Sequence, residues 1–269
     1  MARKPFTAGL VALVLALGLA GAATAGPFED GVTAYGRGDY AASLRLMGPL
    51  AEAGNPSAQA MLGLMYALGR GVKQDYSTAL AWYRKAADQG LASAQSDLGS
   101  MYDQGFGVKQ DYAAALTWYR KAAEQGFAGA EYNVGLIYAN GKGVPKDLQA
   151  AVTWLHKAAD HADAAAQFAL GLMYANGEGV PQDFTAAVSW YRQAAERGYP
   201  DAQYYLGTMY ESGKGVPQDN VMAHMWLSLA AATGNQDALQ DRYEVERRMT
   251  PAQISEAQKV ASEWKPRPN

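Results

Sequence analysis

Between Ser57 and Gly90 the apolar residues fall into two helical stripes separated by a polar, glycine-rich break. Ala58, Leu62, Met65 and Tyr66 keep the i, i+4, i+7, i+8 spacing of one helix face, and Gly69 ends the run as a helix-stopping residue does. Gly69-Arg70-Gly71-Val72-Lys73-Gln74 predicts a loop. Asp75 then offers an acceptor to the free amides of a new helical turn, and Ala79, Trp82, Tyr83 and Ala86 carry a second stripe to Gly90. The pattern then returns. Ala58-Gln59 with Leu62-Gly63 and Tyr66 is echoed from Ala94, Ala130, Ala166 and Ala202, each start 36 residues after the last. A fixed period of this size predicts a solenoid of helix pairs, in which each unit buries its apolar face against its neighbours.

Positions that recur at this step invite structural roles. Gly63, Gly99, Gly135, Gly171 and Gly207 stand in mid-helix, where glycine costs roughly 1 kcal/mol relative to alanine, so close helix contact is the expected return. Trp82, Trp118, Trp154, Trp190 and Trp226 keep the step and are expected in the core, with Val72, Val108, Val144, Val180 and Val216 as buried anchors under the loops. Pro145, Pro181 and Pro217 stiffen the later loops. Asp39, Asp75, Asp111, Asp147, Asp183 and Asp219 occupy one helix-start position, so capping explains them better than acid–base chemistry.

Leu62-Gly63-x-Met65-Tyr66, Gly69-x-Gly71-Val72, Asp75 and Trp82-Tyr83-x-Lys85-Ala86-Ala87-x-x-Gly90 together resemble the Sel-one-like repeat, a relative of the tetratricopeptide repeat with a slightly longer unit. The resemblance covers five repeats, 57–92, 93–128, 129–164, 165–200 and 201–236. It implies an all-α fold, a right-handed superhelical solenoid of stacked helix pairs. Residues 26–56 resemble a shorter tetratricopeptide-like first pair. Residues 237–269 form a C-terminal cap whose last helix opens at Thr250-Pro251 and runs to Trp264. Seven pairs, about fourteen helices, are expected. In the middle repeat Ala162 replaces the helix-ending glycine of Gly90, Gly126 and Gly198, and His156 replaces Arg84, Arg120 and Arg192, so this junction is expected to bend differently.

Composition narrows the function. Residues 1–25 place Arg3 and Lys4 before the apolar run Ala8 to Ala20 and end in Ala23-Thr24-Ala25, the pattern of a signal peptide cleaved near Ala25. A periplasmic or secreted protein is expected, with no stable membrane anchor after cleavage. Cysteine is absent, so no disulfide framework or thiolate chemistry is available. Without Arg3 and Lys4, 21 basic residues oppose 26 acidic ones, a balance that argues against a nucleic-acid partner.

Little in the chain points to catalysis. The Gly-x-Gly pairs follow a helix rather than a strand and lack the third glycine of a nucleotide-binding loop. His156 and His161 are five apart, about 140° around a helix, and do not share the face a metal pair requires. His161 suits a helix C-terminus, and His224, in the apolar register of Leu80 and Leu116, is expected as a satisfied, partly buried side chain. The basic ladder Arg84-Lys85, Arg120-Lys121, His156-Lys157 and Arg192-Gln193 predicts a solvated outer face or an anionic-polymer site. No metal, cofactor or catalytic residue is expected.

Positions 60, 64 and 68 lie 200° from the core stripe of the first helix, and by similarity to tetratricopeptide domains their register lines a concave wall. Tyr132, Phe168 and Tyr204 form an aromatic row there, with Leu136 and Leu172 beside them, Asn140 and Asn176 a turn beyond, and Asp103 and Gln104 earlier. These nine residues are the candidate partner-binding site; packing between neighbouring helices is the competing explanation. The expected function is a non-catalytic protein-interaction scaffold of the bacterial cell envelope that binds a segment of another protein. A peptidoglycan or exopolysaccharide binding module is the alternative. A β-lactam-interacting hydrolase, suggested by a cysteine-rich branch of the resembling family, stands last because this chain has no cysteine.

Overall fold

The computed structural model describes residues 26–267, so the expected signal peptide lies outside the described residues. The chain forms two compact units, Met1–Pro145 and Lys146–Asn269. In the first unit the described helices are α1 (Pro27–Gly36), α2 (Tyr40–Glu52), α3 (Pro56–Leu68), α4 (Tyr76–Asp88), α5 (Ala92–Gln104), α6 (Tyr112–Ala123) and α7 (Ala128–Asn140). The second holds α8 (Leu148–Asp160), α9 (Ala164–Asn176), α10 (Phe184–Glu196), α11 (Pro200–Ser212), α12 (Asn220–Ala232), α13 (Gln236–Glu246) and α14 (Pro251–Glu263). Among the described residues there are thus fourteen helices and no strand. Within each unit helices adjacent in sequence pack on one another, except that α14 passes over α13 and turns back onto α12.

Local chemistry fixes the punctuation. Asp75, Asp111, Asp183 and Asp219 each accept two backbone amides at a helix start, while Asp39 and Asp147 each accept one. Gly69, Gly105, Gly141, Gly177 and Gly213 end α3, α5, α7, α9 and α11 with φ between 65° and 71°, left-handed geometry that glycine adopts without penalty. The second glycine of each loop has a different task. A Cβ on Gly143 would lie 2.7 Å from Cβ of Tyr112, and one on Gly179 would lie 2.6 Å from the Leu148 carbonyl oxygen. The loop is therefore pressed onto the start of the preceding second helix, and the space a phosphate would need is filled by protein backbone. Gln74, Gln110, Gln182 and Gln218 close each loop by donating to carbonyls of Ala67, Asp103, Ala175 and Glu211.

Two expectations are corrected. The tryptophans Trp82, Trp118, Trp154 and Trp190 are half-buried, and the core takes the next residue, Tyr83, Tyr119, Leu155 and Tyr191, at 0 to 3% exposure. Only Trp226, covered by Trp264 in an edge contact at 6.2 Å, is buried. The loop valines are half-buried because the loops lie at the surface. At the junction after α8 the local hydrogen bonding is that of the other junctions despite the missing glycine. Ala162 takes φ 62°, and its amide and that of Asp163 bond to Ala159 and Ala158, the pattern Gly126 and Phe127 make with Ala123 and Ala122. The cost of an alanine in left-handed geometry is held in one residue.

Candidate partner-binding face

What is free to bind depends on what the repeat interfaces consume. The buried glutamines Gln59, Gln95, Gln167 and Gln203 donate across to the ends of the preceding helices, at Ala51, Ala87, Ala159 and Ala195. Gln89 and Gln125 donate in turn to the side chains of Gln59 and Gln95 at 2.8 Å. The Ala-Gln opening of the repeat carries this signal, since a polar residue at a fixed place inside an apolar stripe needs a partner.

The basic ladder is consumed in the same way. Arg84 donates to the hydroxyl of Tyr102, Arg120 to Tyr138, and Arg192 to Tyr210 at 2.8 Å, each guanidinium lying within 6 Å of that ring. His156 takes the place of an arginine edge-on between Tyr174 and Trp190. Lys85, Lys121 and Lys157 sit 4.1 Å above the rings of Trp82, Trp118 and Trp154. The arginines thus bridge neighbouring helices, while Arg120, Lys85, Lys121 and Lys157 remain exposed on a solvated face.

In the first unit α3 is apolar nearly all round, and Ala60 and Leu64, expected on an open wall, are buried. α5 is the polar exception. Ser96 and Asp97 are buried on it, while Asp103 and Gln104 are half-buried and bond to each other at 3.0 Å. Burial, then the Asp97 carboxylate, push the Tyr83 hydroxyl well above the usual phenol range. Ser100 hydrogen-bonds Tyr119, which burial nevertheless pushes up. On α7, Tyr132 and Leu136 are half-buried, and the exposed Asn140 spends its amide on the Leu136 carbonyl at 2.8 Å.

In the second unit the aromatic row is a packed cluster with an open side. Phe168 is half-buried, its ring centroid 5.8 Å from Tyr191, 5.3 Å from Tyr199 and 5.4 Å from Tyr205. Tyr204 is half-buried and meets Tyr205 edge-on at 5.5 Å. Leu172 is half-buried, and the exposed Asn176 reaches Glu178 at 3.3 Å. Packing and partial exposure therefore coexist. Tyr205, one residue beyond the predicted register and 36% exposed, is the most open ring of the cluster, and Tyr191 lies beneath it. Sequence reasoning missed both because the register was extrapolated from repeats that carry Met61 or Asp97 at the place of Tyr205.

A second constellation closes the C-terminal cap. His224, 1% exposed, places Nε2 2.7 Å from Oε1 of Glu246, and Ser228 Oγ lies 3.4 Å from its Nδ1. Arg242 approaches the same carboxylate at 3.6 Å. Serine, histidine and carboxylate thus stand in line. Ser228, however, lies within α12, where backbone amides are committed to the helix and none is left to stabilise an oxyanion. The set serves as a clamp between α12 and α13. Among the described residues no group of three or more metal-ligating side chains is close enough to hold a metal, and no helix is long and apolar enough to cross a membrane.

The Sel1 repeat family model matches residues 56–91, 92–127, 128–163, 164–199 and 200–235, two thirds of the chain. The chain belongs to the Sel1 repeat family. The chain is similar to the crystal structure of a Sel1 repeat protein from Oxalobacter formigenes, with 36% identity, 88% of this chain and 100% of that chain covered, and a TM-score of 0.78. It is also similar to c5321, a protective antigen of uropathogenic Escherichia coli, at 36% identity and a TM-score of 0.76 over 88% of this chain. It spans 53% of that chain. The immunity protein Pa5087 from Pseudomonas aeruginosa, 22% identical over 85% of this chain and 83% of its own, shares the fold at a TM-score of 0.52. No curated protein matches. Sel1 repeats are a scaffold fold, typical of protein–protein interaction.

Proposed function

We propose that this Sel1 repeat protein is exported through residues 1–25 and acts in the bacterial cell envelope as a scaffold that holds a segment of a partner protein against its first-helix faces. The observation that carries this is the aromatic cluster of the second unit, where Phe168, Tyr204 and Tyr205 keep ring surface open despite packing with one another. Isolated exposed rings are ordinary; a contiguous group is characteristic of interaction surfaces. A glycan site built on the basic ladder loses support, because Arg84, Arg120 and Arg192 are bonded to tyrosines. The description of the Escherichia coli relative as a protective antigen agrees with export.

The test is capture of partners from an envelope extract by wild type and by the Tyr132→Ala, Phe168→Ala, Tyr204→Ala triple variant, with circular dichroism as the control for folding. A protein retained by wild type and lost with a folded triple variant is the expected outcome. Equal capture by both would remove the assignment of this face. Processing near Ala25 in cells is the separate check on export.

A further inference from the structure

Taking the proposed scaffold function as its basis, we propose that the aromatic patch of the second unit binds a lysine or arginine side chain of the partner segment, so that the partner is basic. Phe168 and Tyr205 pack on Tyr191 and on each other, and Tyr199 and Tyr204 extend the cluster from Phe168 and Tyr205 respectively, with ring centroids 5.3 to 5.8 Å apart at each contact. Aromatic faces attract cations through their quadrupole. The rim of the patch has the complementary sign. Asp201 stands in the first turn of α11, and Asp237 and Asp241 in the first two turns of α13. Their field is felt by the rings. Beyond burial, Asp241 and then Asp237 hold Tyr204 in its neutral form, its hydroxyl pushed up to about 12, and Asp201 does the same for Tyr199.

A second, independent feature lies under the rings. Tyr191 is 0% exposed and its hydroxyl has no hydrogen-bond partner. In the first unit the equivalent hydroxyls are answered from neighbouring first helices, by the Asp97 carboxylate for Tyr83 and by Ser100 for Tyr119. The residues at those two registers around Tyr191 are Tyr205 and Leu172, neither of which supplies the missing group. An orphaned buried hydroxyl is costly and uncommon. An ammonium or guanidinium seated among the rings would donate to this oxygen, while Asp201 and Asp241 neutralise its charge.

The probes are three end-capped peptides of equal length in which glycine alternates with lysine, glutamine or glutamate, titrated into the full chain and followed by tyrosine fluorescence. The lysine peptide is expected to bind at least about tenfold more tightly than the other two. Tyr205→Leu and the pair Asp201→Asn with Asp241→Asn should each remove that preference, whereas Tyr205→Phe should retain it. Glu256→Gln with Glu263→Gln, which neutralises two exposed charges on α14 and so changes the net charge equally, should also retain it, separating the site from general attraction. Tyr191→Phe should weaken the lysine peptide alone. Equal affinity for all three peptides, or a lysine preference untouched by the Tyr205 and Asp201/Asp241 variants, would overturn the proposal. If the glutamine peptide binds as well as the lysine peptide and both depend on Phe168, peptide capture stands and only the basic preference falls. If none binds, the basic preference falls too, and capture from extract decides the scaffold reading separately.

Discussion

Replacing Gly171 by alanine sets two effects of known sign against each other. Alanine is favoured over glycine in a helix interior by about 1 kcal/mol, so at an open position on α9 the substitution would stabilise. At Gly171 a Cβ would stand 2.5 Å from Cδ1 of Tyr191 and closer still to Cε1, whereas carbon atoms rest at about 3.5 to 4.0 Å. The ring would have to retreat by about 1 Å, and Tyr191, 0% exposed, is held by Phe168 and Tyr205. Overpacking of this kind costs about 1 to 3 kcal/mol, which leaves Gly171→Ala destabilised by up to about 2 kcal/mol. Removing the ring reverses the sign: in a Tyr191→Ala background the same substitution should stabilise by about 1 kcal/mol. Urea denaturation of the four members of this cycle, compared at equal m-value, measures the coupling, expected at about 1 to 3 kcal/mol. A Gly171→Ala variant that is stabilised equally with and without the ring would refute the account of the mid-helix glycines.

Four further outcomes are expected. Ala162→Gly should raise stability by about 1 kcal/mol, since φ 62° penalises alanine and not glycine; thermal or urea denaturation checks it. Asp183→Ala removes an acceptor from the amides of Thr185 at 2.8 Å and Ala186 at 3.0 Å and should cost about 1 kcal/mol in the same assay, with the helix content otherwise retained. Tyr191→Phe should leave the unliganded chain as stable or more stable by up to about 1 kcal/mol, because it deletes a buried hydroxyl with no partner. In alkaline titration followed by phenolate absorbance, Tyr83, Tyr119, Tyr191 and Tyr204 should ionise late. Their folded values lie above the ordinary phenol value near 10, so the stability they contribute is complete below pH 10 and declines as pH rises from there through about 12 for Tyr204. A single unshifted titration for all tyrosines, with no loss of stability in that window, would contradict this.

Helices and their ends were legible because they are set locally. An aspartate that caps, a glycine that stops and a stripe at helical spacing need no partner from elsewhere in the chain, and the repetition supplied five independent copies of each signal. The depth of a side chain was less legible. Trp82 and Tyr83 are adjacent and both aromatic, and only the approach of Gly63 on α3, where a Cβ would meet the Tyr83 ring at 2.9 Å, decides that the tyrosine is the one inside. The partners of the ladder arginines were not legible for a related reason: the phenol that receives each arginine comes from the following repeat, a residue separation no single helix pattern reveals. At the candidate face the register led to Phe168 and Tyr204 and stopped short of Tyr205, whose neighbours in other repeats have different chemistry.

The loop that presses its second glycine onto the start of the preceding helix, together with glutamines that reach back to the preceding helix end, makes the joint between repeats a standard fitting. The donor, the acceptor and the gap left by the missing side chain come from the same places in four of the five regular copies, the exception being the copy that carries Glu131 where the others carry glutamine. A duplication of 36 residues therefore arrives with both of its mating surfaces already matched, while an insertion of any other length breaks them. Length in such a protein can vary over evolution in whole steps without inventing a new interface, and the residues that face outward can diverge from copy to copy while the joint stays constant.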